Sequence, residues 1–148
     1  YYKSQLVMIV KKGSKFEQAK TLADFSGAKV TGQLNTFHYS VIDQIPGVAK
    51  QPAMDNFPAM RVALQAGTID AYVSELPEGV SAQAANSDFV MIKLTDGFQA
   101  SDEDTDTAVG LKKNSPLKDA INKALSEISD AERQQIMDEA IKNHPAAN

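Results

Sequence analysis

Gln33-Leu34-Asn35-Thr36-Phe37 and, about forty residues on, Tyr72-Val73-Ser74-Glu75-Leu76-Pro77 are the stretches whose reading decides the fold. Each follows an apolar run that stops at polar residues and restarts in a helical pattern. A strand handing over directly to a helix, twice, points to an open α/β sheet, and such sheets bind small ligands at their strand-to-helix junctions. The first junction offers backbone N–H groups and the Thr36 hydroxyl, which suit an anion. The second offers the Glu75 carboxylate, which suits a cation. Together they suit a zwitterion such as a free amino acid.

Working outward, Leu6 to Val10 is a fully apolar run, as a buried strand requires, and Lys11-Lys12-Gly13-Ser14 ends it. Thr21-Leu22-Ala23-Asp24 has capping-box spacing and predicts a short helix ending before Gly27. Ala28 to Gln33 reads as a second strand, and Thr36 to Ile45 as a helix with Phe37, Val41, Ile42 and Ile45 on one face. Lys50 to Met54 reads as a short strand. Pro58 to Ala66 is helical, with proline at its start and Gly67 at its end. Ile69 to Val73 is a strand, Pro77 opens a helix towards Asn86, and Phe89 to Leu94 is a further strand. This alternation predicts an open, mainly parallel sheet flanked by helices.

Beyond Thr95 the pattern changes. Thr95 to Thr107 is polar and carries the acidic run Asp102-Glu103-Asp104, the composition of a linker. Ala108 to Leu111 reads as a short strand. Ser115 and Pro116 predict the cap and first residue of a helix, with Leu117, Ile121, Ala124, Leu125 and Ile128 on one face. Ser129-Asp130-Ala131-Glu132 is a capping box opening a last amphipathic helix that ends near His144-Pro145.

The 148 residues suffice for one ordinary domain with a core, and the net charge of −4 comes without a basic stripe, so a nucleic-acid surface is not expected. The absence of cysteine excludes disulfides, zinc–cysteine sites and thiol catalysis. The apolar runs are too short to span a bilayer. The chain begins Tyr1-Tyr2-Lys3-Ser4 with no initiator methionine and no signal segment, which reads as a mature or excised piece of a longer protein.

Each candidate site residue has a plainer reading beside it. Asn35 or Thr36 caps its own helix in any protein that starts a helix there. Glu75 equally suits a surface acid beside a helix N-terminus, where it contributes under about 1 kcal/mol. Asp55-Asn56 reads first as a helix cap. Phe37 reads first as core, with a pocket wall second, and Tyr1 and Tyr2 are placed to stack on a ligand only if the chain end is ordered. His38 has no partner His or Cys at metal-ligand spacing. No nucleophile motif, glycine-rich phosphate loop or metal cluster is present, so neither catalysis nor a cofactor is indicated.

Taken in order, several segments resemble the second lobe of an amino-acid-type extracellular solute-binding protein (family 3, type II periplasmic-binding-protein fold), the receptor of an ABC importer. Leu22 to Val30 is similar to the family's "dL-x-GkkV" segment, Gln33-Leu34-Asn35-Thr36 to "Q-x-G-T", and Ala63 to Ala71 to "aL-x-aG-x-vDa". Val109 to Lys113 and Leu117 to Leu125 resemble the chain's return to the first lobe. The resemblance implies that Thr36 and the amides around Asn35 and Phe37 bind a ligand carboxylate, that Glu75 binds its ammonium group, and that Gln33 reads its side chain. Asn35 stands where glycine is usual, and asparagine tolerates left-handed backbone better than most residues.

The resemblance further implies a hinge crossing at 1–5, lobe two at 6–102, a second hinge segment at 103–107 and first-lobe elements at 108–148, with most of that lobe missing. The expected role is to bind a polar amino acid outside the cytoplasm and deliver it to a membrane permease, with contact to membrane only through that permease or an anchor. Two rivals keep the scaffold: a ligand-sensing domain of a membrane receptor kinase, and a dehydratase-like enzyme.

Overall fold

The computed structural model describes residues 1–143; the predicted end of the last helix at His144-Pro145 lies outside them. A five-stranded sheet is built from β2 (Leu6–Lys11), β3 (Lys29–Thr31), β4 (Ala49–Lys50), β5 (Ala71–Glu75) and β6 (Phe89–Ile92), in the order β4-β3-β5-β2-β6. The pairings of β3 with β4 and with β5 are parallel, whereas β2 runs antiparallel to both β5 and β6. Four of the five strands therefore point one way, as the β–α alternation predicts. The exception is β2, which reaches β3 through a loop and one 3-10 turn (Leu22–Phe25).

Strand β2 carries the two-sided core. Alternate side chains of a strand point to opposite faces. Leu6, Met8 and Val10 pack with Phe16, Phe25, Val30, Ile42 and Ile45 on one face. Val7 and Ile9 pack with Met60, Leu64, Tyr72, Ala82 and Phe89 on the other. Helix α1 (Phe37–Ser40) thus covers one face, while α2 (Phe57–Ala66) and α3 (Leu76–Ala85) cover the opposite one. Gly67 ends α2 with φ of 73°, a left-handed C-cap that glycine adopts without strain.

A smaller two-stranded ribbon pairs β1 (Tyr2–Lys3) with β7 (Asp106–Thr107), antiparallel. Ser4 N–H donates to the Thr105 carbonyl at 2.9 Å, and Lys3 forms an ion pair with Asp102. Beyond it lie α5 (Lys118–Ser126) and α6 (Asp130–Asn143).

Several predicted boundaries move. The Thr36–Ile45 helix is one α-turn followed by a 3-10 turn at Val41–Gln44, whose tighter winding stacks Ile42 and Ile45, three apart, into the same core. The Lys50–Met54 strand is confined to Ala49–Lys50 plus an isolated bridge from Met54 to Gln33. The acidic run is not loop: Asp102–Thr105 forms the helical turn α4, capped by Ser101, because three carboxylates in a first turn complement the exposed N–H groups. Ala108–Leu111 forms no strand, as it meets no partner strand among the described residues; pairing stops at Thr107. Helix α5 starts at Lys118 rather than Pro116, and Ser115 Oγ accepts from Leu117 N–H at 3.3 Å. The Ser129–Glu132 capping box forms as predicted, with Ser129 N–H donating to the Glu132 carboxylate at 2.8 Å.

Gly32 ties this architecture to the junction after β3. A Cβ built there would lie 2.9 Å from the His38 carbonyl oxygen and 3.0 Å from the Tyr39 Cα, both backbone atoms. The first turn of α1 is therefore pressed onto the end of β3. Gly32→Ala should destabilise the fold by about 1–3 kcal/mol through overpacking, read as a lower urea midpoint at unchanged m-value.

Candidate functional site

The two junctions meet because β3 and β5 are parallel neighbours, paired through Val30–Ala71 and Thr31–Tyr72. From β3 the chain goes to β4; from β5 it goes towards β6, on the opposite side. Connections that diverge from adjacent parallel strands leave a crevice outside their carboxyl ends. Gln33 to Phe37 follow the carboxyl end of β3, and Glu75 ends β5 at the same edge.

On the β3 side, Asn35 has φ of 60°, the left-handed geometry its place in the motif calls for. Thr36 sits at the N-cap position of α1, yet its side chain makes no cap hydrogen bond, so the plain capping reading does not hold. Its hydroxyl donates instead to the Gln33 carbonyl at 2.8 Å. To donate to a ligand, Thr36 must give up that bond; in the first turn of α1 the Tyr39 N–H already donates to the Thr36 carbonyl at 3.3 Å, which leaves the Phe37 and His38 amides without an intrahelical acceptor. The Gln33 side chain donates to the Asp55 carbonyl at 3.2 Å and stitches the end of β3 to the approach of α2. Asn56 takes its plainer role: its Oδ1 accepts from Ala59 N–H at 2.9 Å and caps α2. Phe37 is half-buried and packs against the core.

On the β5 side, Glu75 is half-buried and is not alone. His38 Nε2 lies 3.0 Å from its Oε1. His38 is 6% exposed, with Phe37 centred 4.5 Å and Phe57 6.2 Å from its ring. The hydrogen bond from His38, helped by the neighbouring Ser4 hydroxyl, outweighs burial and holds the Glu75 carboxyl below the ordinary carboxylate value. Sequence reasoning missed this pair. The signal available was phase: His38 falls in the first turn after one junction and Glu75 ends the strand at the other, so a parallel β3–β5 pairing brings them together.

A second acid, Glu78, takes a different part. Arg61 donates to its Oε1 from Nε at 3.0 Å and Nη2 at 2.6 Å, and Ser74 Oγ donates to its Oε2 at 2.6 Å. Burial pushes the adjacent Tyr72 hydroxyl well above its ordinary pKa. Phe57, Pro58, Pro77, Arg61 and Glu78 line a cleft of about 370 Å³, closed by Met137, Ala140 and Ile141 of α6. Tyr1 and Tyr2 border a separate cleft with Asp130 and Arg133. Among the described residues no group of three or more His, Asp or Glu side chains could hold a metal ion, and no helix is long and apolar enough to cross a membrane.

No family model and no curated protein sequence matches the chain. Solved structures do. An amino acid ABC transporter substrate-binding protein from Streptococcus pneumoniae, bound to L-arginine, aligns over 96% of this chain and 58% of its own at 26% identity and a TM-score of 0.77. This chain has the fold of the amino-acid-type solute-binding proteins of ABC importers. Holo ArgBP from T. maritima aligns with this solute-binding fold over 90% of the chain and 57% of its own, at 26% identity and TM-score 0.68. An ancestral arginine-binding protein bound to glutamine covers 94% and 60%, at 27% and 0.68. The chain thus spans 57–60% of the length of these structures and corresponds to one lobe of the solute-binding fold. These neighbours are binding proteins rather than enzymes.

Two outcomes follow from the two acids. Because the folded state lowers the Glu75 pKa, its contribution to stability is fully present above its ordinary value of 4.5 and is lost as pH falls through the lowered one. The stability difference between wild type and Glu75→Gln should therefore shrink as the pH is taken below 4.5, in urea melts at stepped pH. The Arg61 and Glu78 side chains are 17% and 15% exposed, so Glu78→Ala strands a largely buried guanidinium and should cost about 3 kcal/mol. Arg61→Met combined with Glu78→Leu should recover most of that loss.

Proposed function

We propose that this chain is the second lobe of a receptor that captures a polar amino acid outside the cytoplasm and delivers it to the permease of an ABC importer. The observation that carries the reading is the placement of an anion-suited turn and a carboxylate at the ends of two adjacent parallel strands. Amides around Asn35 to Phe37 receive the α-carboxylate, Glu75 receives the α-ammonium group, and Gln33 and Thr36 border the ligand. Arginine- and glutamine-bound neighbours of the same fold support amino acids with long polar side chains as the ligand class. Charge-assisted hydrogen bonds at both ends of a zwitterion strengthen as closure excludes water.

In this reading residues 6–102 are the lobe, and the chain crosses to the other lobe at 1–5 and 103–107. The ribbon of Tyr2–Lys3 with Asp106–Thr107 suits such a crossing, because two short paired strands bend together without breaking the large sheet. Ligand bridging the lobes would stabilise the closed form that the permease recognises.

A thermal-shift series with each of the twenty amino acids, on the whole natural protein and on Glu75→Ala, tests this. At 100 times its dissociation constant a true ligand stabilises wild type by about 2.7 kcal/mol, a shift of several degrees that Glu75→Ala should lose. Failure of every amino acid to move the melting point of well-folded wild-type protein would sink the reading.

A further inference from the structure

We infer that His38 is the positioning residue for the ammonium site: it pins one oxygen of Glu75 and aims the other at the ligand. This rests on the receptor reading above. The geometry is that of a fixed donor. His38 Nε2 and Glu75 Oε1 are 3.0 Å apart, which leaves Oε2 for an incoming N–H group. The imidazole has little room to swing away: Phe37 and Phe57 flank it, and the close approach of its backbone to Gly32 seats the whole turn.

The other ring nitrogen explains why histidine suits the position. Nδ1 is buried and has no hydrogen-bond partner among the described residues. A proton there would be an unsatisfied buried donor, so the ring proton belongs on Nε2, where Glu75 accepts it. In that neutral tautomer His38 orients the carboxylate without cancelling its charge. A lysine or arginine in its place would hold Glu75 equally well but would compete directly with a ligand ammonium, as Arg61 neutralises Glu78 on the neighbouring helices. Among the described residues, the groups that face the pair from other elements are the Ser4 hydroxyl and Tyr2 from the ribbon; Tyr2 in turn feels the negative charges of Asp138 on α6 and of Glu75. None supplies a competing cation.

The test uses the whole natural protein, wild type, His38→Phe and His38→Gln, titrated calorimetrically with L-arginine and L-glutamine and with the α-deamino analogue of each. Phenylalanine keeps the ring and removes the donor; glutamine restores an N–H donor. Losing one hydrogen bond to a charged group lowers affinity by about tenfold or more. His38→Phe should show that loss for the amino acid and none for the deamino analogue, and His38→Gln should recover most of it. Equal losses for both ligands, or no loss, would overturn the inference while leaving the receptor reading intact. A wild-type protein that binds none of the twenty amino acids would overturn both. A readout without ligand is 13C-detected titration of the Glu75 carboxyl: its midpoint should rise in His38→Phe and stay low in His38→Gln, and a midpoint unmoved by His38→Phe would overturn the assignment.

Discussion

The parallel pairing of β3 with β5 is the contact on which the rest of the candidate site depends. Only two registered residue pairs, Val30–Ala71 and Thr31–Tyr72, join these strands, yet they sit in the most buried part of the sheet. Because the strands run the same way, both of their helices begin at the same edge. Because the following connections diverge, that edge is open. The anion-suited turn and the carboxylate are thus neighbours in space while about forty residues apart in sequence. A slip of one residue in β5 would turn Glu75 to the other face and separate it from His38.

Two glutamates three residues apart, Glu75 and Glu78, show how environment divides one side-chain chemistry into two tasks. Glu78 accepts two N–H groups from Arg61 and the Ser74 hydroxyl, so its charge is spent inside the fold, holding α2 to α3. Glu75 accepts from an imidazole on one oxygen, Oε1, and its side chain stays about one-third exposed. The difference follows from position: the strand end exposes Glu75, whereas the first turn of α3 carries Glu78 under α2.

The segment after the ribbon obeys another constraint. Helices α5 and α6 have no fully buried residue, and Val109, Leu111, Leu117 and Ile136 are exposed apolar side chains. Met137 and Ile141, four apart on one face of α6, lie instead over Phe57, Pro58 and Pro77 at the N-terminal turns of α2 and α3. An amphipathic stripe needs a partner, and in this chain the available apolar surface is the rim of the crevice-bearing sheet.

The sequence alone determined the elements whose signals are local. The unbroken apolar run of β2, the Pro58 and Gly67 punctuation of α2 and the Ser129 capping box all act within a few residues, so periodicity and turn chemistry reveal them. The α/β class and the two junctions were legible for the same reason. What the tertiary structure decided lies between elements: that β2 runs against its neighbours, that Ala108–Leu111 has no strand to pair with, that the Thr36 hydroxyl turns back to Gln33, and that His38 meets Glu75. A hydrogen bond between residues distant in the chain leaves no mark on local spacing. Its partners are chosen by sheet order and strand direction, which only the packed core sets.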